Sequence, residues 1–139
     1  MRPRIFSWLA VIALGSVLGI VTSPPDLTAE PARRSAVAYL TEPTLVGDIF
    51  IAGPIQITHD ADRMARGGPC TEIRLFDPAK NHATEVVASF HCVPRRAAPV
   101  PHLTIETRPS PYGFGCELAS YQFANDSEVH GVPARALAH

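Results

Sequence analysis

Prolines and glycines set the tightest limit on what this chain can become. Fourteen prolines and nine glycines fall among its 139 residues. Beyond residue 43 they cut the chain into short runs. Neither residue suits a helix interior, because proline lacks an N–H and glycine has too much backbone freedom to lose. Inside the runs, polar and apolar side chains alternate. Ile55 and Ile57 point one way, Gln56 and Thr58 the other. Val86, Ala88, Phe90 and Cys92 share one face, while Ser89 and His91 take the opposite one. A period of two is the signature of a strand with one buried face. Short half-apolar strands between Pro and Gly breaks predict an all-β fold, a small antiparallel β-sandwich or open barrel after an N-terminal signal segment.

Turn residues place the elements. A strand is expected over 46–58, interrupted at Gly53-Pro54. A single helical turn follows over 59–66, with Asp60 as its cap, Asp62 in its first turn and Gly67-Gly68 as its stop. Further strands are expected over 70–76, 84–92, 102–108 and 114–123, with a proline-stiffened loop over 93–101. Leu103 and Ile105 are expected to face inward, as are Phe114, Cys116 and Leu118.

Ahead of these runs the chain reads as an export leader. Arg2 and Arg4 precede an apolar stretch from Ile5 to Val21, and small residues follow. That order is a secretory signal. Cleavage after Ser23 would leave Pro24 at the new terminus, so a cut after Ala29 fits better. An uncleaved anchor is the rival, and only then would the protein meet a membrane. The chain therefore divides into a signal peptide at 1–29, a Pro-rich linker at 30–43, a β domain at 44–133 and a flexible tail at 134–139. A short helix over 32–40 is compatible with the linker. The expected location is secreted or periplasmic.

Charge narrows the partners. From Glu30 onward ten basic side chains face twelve acidic ones. No basic stripe exists, so nucleic acid is not an expected partner. No G-x-S-x-G, phosphate loop or dinucleotide fingerprint occurs.

Chemistry concentrates at one end of the expected strands. If each strand runs antiparallel to the last, His59, Cys70, His91, Cys92, His102 and His130 gather at a common end, and Cys116 falls toward the other. Two cysteines at the open end of one hairpin, in a chain bound for an oxidising compartment, predict a Cys70–Cys92 disulfide. Matching apolar faces pairs Leu75 with Val86 and Ile73 with Ala88. That register sets Cys70 opposite His91, so the bridge needs a bulge, and Cys92–Cys116 stays open as a second pairing. The same end offers imidazole donors, and His59, His91 and His130 are candidate ligands for copper or zinc. No zinc-finger spacing supports them, and strand-end histidines are ordinary. His59 and Asp60 could also serve acid–base chemistry, although helix capping accounts for Asp60 and Asp62. No catalytic residue is assigned. The expected function is a non-catalytic binding or structural module, exported and stapled by a disulfide. The alternatives are a transition-metal-binding domain and a small secreted hydrolase.

Overall fold

A computed structural model describes residues 31–134. The leader expected at 1–29 and all but the first residue of the tail lie outside the described residues. Strands dominate as expected. In chain order they are β1 (Arg33–Val46), β2 (Ile49–Asp60), β3 (Thr71–Asp77), β4 (His82–Phe90), β5 (Val93–Arg96), β6 (Thr104–Pro109), β7 (Cys116–Gln122) and β8 (Glu128–Gly131). One short helix, α1 (Ala61–Ala65), links β2 to β3.

All eight strands belong to one sheet, ordered β4-β3-β2-β1-β7-β8-β5, with β6 pairing β7. The expected all-antiparallel arrangement gives way to a mixed one. β1 pairs β7 in parallel through Thr44–Cys116 and Leu45–Glu117. The sheet is not closed. It curls tightly all the same, because β4 and β5 end opposite edges of the order yet only His91 and Cys92 separate them in the chain. Two residues span about 10 Å or less between ends. Contacts across the fold agree: Thr71 on β3 hydrogen-bonds the hydroxyl of Tyr121 on β7.

The core lies inside this curl. Ile55, Ile57, Ile73, Ala88 and Leu118 are fully buried. Ile73 pairs with Ala88 as the alternation required, but Arg74 then pairs with Val86, leaving Val87 as an extra residue. That bulge turns Val87 inward as well, where it is buried.

Residues 33–43, expected to be linker or a short helix, form the greater part of β1 instead. Arg34, Ala36, Ala38 and Leu40 take the more buried positions, while Arg33, Ser35, Val37 and Tyr39 are exposed. Two small alanines face in and two apolar residues face out, so the hydropathy pattern that marks a strand is blurred. Pro43 is accommodated because the β1–β2 register breaks between Leu40 and Thr44. A proline outside the ladder loses no pairing. The expected loop over 93–101 also contains a strand, β5, which pairs antiparallel with β8. Phe114, expected inward, is exposed in the turn before β7.

Candidate metal centre

Period two carries His59 onto the face of Ile55 and Ile57, at the end of β2 where the core meets solvent. Opposite it in register stands Thr71, one residue after Cys70. The α1 segment between them is held shut by the Asp60 amide donating to the Cys70 carbonyl at 2.8 Å. Asp60 also caps α1, its carboxylate accepting the Arg63 amide at 2.9 Å. That carboxylate is engaged in capping, as its position suggested. Cys92 follows the end of β4, where the chain crosses toward β5. His130 lies in β8, paired with Tyr121 on one side and Pro94 on the other.

These elements bring four donors to one end of the fold. The donor atoms of His59, Cys70 and Cys92 all lie within 4.8 Å of one another. Nδ1 of His130 is 3.6 Å from the Cys92 sulfur. Its Nε2 lies 3.1 Å from Oδ2 of Asp126. With Nε2 hydrogen-bonded to the carboxylate, Nδ1 is left facing the Cys92 sulfur. Asp126 is itself fixed. It is 2 % exposed, accepts the Glu128 amide at 2.9 Å and ion-pairs Arg34 at 3.6 Å. The His130 ring is stacked on Tyr121 at 5.0 Å and lies 4.4 Å from the His59 ring.

The expected disulfide is not formed. The Cys70 and Cys92 sulfurs are 3.0 Å apart, against about 2.0 Å for a bonded pair, and all three cysteines are free thiols. The bulge expected near Cys70 is not what unites them. The β3–β4 irregularities lie between Ile73 and Phe76. Instead the chain leaves the ladder after Phe90 and turns Cys92 inward, where its amide donates to the Cys70 sulfur at 3.1 Å. That geometry makes the two thiols unequal. The hydrogen bond between the two sulfurs holds the Cys70 thiol below its usual range, and His59 and the Cys92 amide add to the effect against the cost of burial. Cys92 is pushed up by the same bond and by burial.

Spacing bears on what the cluster can hold. A tetrahedral zinc, with bonds of about 2.3 Å to sulfur and 2.0–2.1 Å to nitrogen, places sulfur and nitrogen about 3.6 Å apart and two sulfurs about 3.8 Å apart. The His130–Cys92 separation already meets the first value. The two sulfurs stand between a covalent bond and a metal-bridged pair.

The remaining candidates fall elsewhere. His91 and His102 are exposed, and His91 points away from the thiols as its neighbour Cys92 turns in. Cys116 sits at the β1–β7 pairing, its sulfur 3.2 Å from the Thr44 hydroxyl. Asp126, Glu128 and His130 fall together in one polar stretch of the sequence, where ordinary loop residues account for them, and the structure brings Asp126 onto His130. Tyr121, an aromatic that the sequence offers either to packing or to a ligand surface, stacks on the His130 ring. Comparison with known protein families, with curated proteins and with solved structures finds no match.

Proposed function

We propose that this chain is a transition-metal-binding β domain whose ion, zinc in first place, is held by His59, Cys70, Cys92 and His130. One observation carries the reading. Two buried thiols and the His59 imidazole converge, His130 reaches Cys92 as a fourth donor, and the buried Asp126 holds the distal nitrogen of His130. A carboxylate behind a histidine fixes the ring and makes it a better ligand. Two sulfurs and two nitrogens in a tetrahedral arrangement favour zinc among divalent ions.

Four protein donors would leave no position for a substrate, which marks a structural metal rather than a catalytic one. The ion would then do the work expected of a disulfide, pinning the ends of β2, β3 and β4 to β8 where the sheet curls. This keeps the protein a non-catalytic module. Export remains part of the proposal, on the charge-then-apolar order of residues 2–21; the chain expressed with its leader should be recovered outside the cytoplasm and shortened.

Metal analysis of reduced protein, followed by cobalt substitution, tests the site. The expected result is about one ion per chain, with thiolate-to-cobalt charge transfer and tetrahedral visible bands that vanish in Cys70→Ala and His59→Ala. Copper(I) displacing zinc would change the ion and keep the site. Protein that takes up no ion from zinc, cobalt or copper(I) would end the proposal.

A further inference from the structure

Cys70 lines an opening beside the cluster. A pocket of about 230 Å³ is lined by Cys70 together with Arg33, Arg63, Arg74, Asp60 and Glu72, and Cys92 is not among its walls. The lining is polar. Arg63 and Arg74 both pair with Glu72, at 3.4 Å and 2.6 Å. The space admits a small polar molecule. Behind Cys70, at 3.0 Å, waits the second sulfur.

We propose that Cys70 and Cys92 form a peroxide-sensitive switch, in which hydrogen peroxide entering this pocket closes a disulfide and opens the metal centre. The inference rests on the metal reading for its consequence but not for its chemistry. The Cys70 sulfur attacks one peroxide oxygen. The O–O bond breaks, hydroxide leaves and is protonated to water, and Cys70 becomes a sulfenic acid. The Cys92 sulfur then attacks the Cys70 sulfur, forming the S–S bond and releasing a second water. Two thiols lose two electrons and one peroxide gains them. Closing the sulfurs to bonding distance removes both thiolates from the ion, and two imidazoles alone bind it weakly. The second step needs little movement, because the Cys92 amide already holds Cys70 in place.

The full reduced chain, loaded with zinc, is treated with hydrogen peroxide. Thiols counted in denaturant should fall from three to one, the zinc should appear in solution in step, and a reductant should restore both. Peptide mapping should find Cys70 joined to Cys92. In Cys92→Ala, and in Cys92→Ser should the first fold poorly, a sulfenic-acid probe should mark Cys70. A thiol count that stays at three, a bridge that includes Cys116, or a probe that marks Cys116 and leaves Cys70 clean would overturn the switch. Zinc that stays bound after the bridge has formed would overturn it too. Should the chain bind no zinc at all, thiol loss and the Cys70 adduct still decide the peroxide chemistry, and the metal reading alone falls.

Discussion

Asp126 decides how His130 is used. Held by the Glu128 amide and by Arg34, it hydrogen-bonds Nε2 and leaves Nδ1 facing Cys92. Asp126→Asn keeps the size but removes the charge. Zinc affinity, measured by competition with a chelator, should weaken about 10–100-fold. His91→Ala should leave it unchanged, since His91 faces solvent. Equal affinities in the wild type and Asp126→Asn would remove His130 from the ligand set. Core packing is tested by Phe90, which is 5 % exposed. Phe90→Ala should cost about 3–5 kcal/mol in denaturant unfolding, and a cost under about 1 kcal/mol would place the ring outside the core. Residue by residue, the sequence was informative where chemistry is intrinsic to a side chain. Cys70, Cys92, His59 and His130 could be singled out, because few other residues ligate soft ions. Asp126, Glu128 and His130 stand close together in the sequence, but a carboxylate in a loop looks the same whether it is solvated or buried, so their grouping carried no weight until the structure buried Asp126.

At the level of elements, alternation located the strands whose inward residues are large. β2, β3, β4, β6 and β7 overlap their expected spans because Ile55, Ile57, Ile73, Phe90, Ile105 and Leu118 mark them. β1 escaped because Ala36 and Ala38 are inward residues too small to mark it, Pro31 precedes it and Pro43 interrupts it. β5 and β8 escaped because four-residue strands carry too little pattern to read, and every residue of β5 is exposed. β1 nonetheless stands in the middle of the sheet, between β2 and β7. A linker over 30–43 would be dispensable and this strand is not. Deleting residues 31–43 should abolish cooperative unfolding, read by circular dichroism. A truncated chain that unfolds cooperatively would return the segment to linker. A smaller test lies where β1 meets the turn into β7. Gly115 has φ +63°, and a Cβ there would collide with the Pro43 carbonyl oxygen. Gly115→Ala should lower stability by at least about 1 kcal/mol, from left-handed strain together with the clash. A neutral effect would show that the β1 bulge yields to the new methyl group.

Over the whole molecule, the metal proposal predicts a stability that depends on the ion. A ligand present at a thousand times its Kd adds about 4 kcal/mol, worth roughly 15 °C or more in Tm for a domain near this size. Scanning calorimetry of reduced protein with and without zinc should show that gain. The gain should shrink as pH falls, because protons compete with the ion for the thiolates and imidazoles. A Tm indifferent to zinc at neutral pH would count against the site. Sequence alone determined the class of the fold and the kind of chemistry available. Strand alternation, turn residues and thiol or imidazole donors are local properties that a chain carries wherever it goes. Only the tertiary structure decided the mixed sheet, the central place of β1 and the company each donor keeps. Those depend on how far the sheet curls, and curl is a sum of small twists and bulges over all eight strands. The clearest case is Cys92. Its chemistry was evident, but its approach to Cys70, His59 and His130 at once required opposite edges of the sheet to meet at two residues of chain.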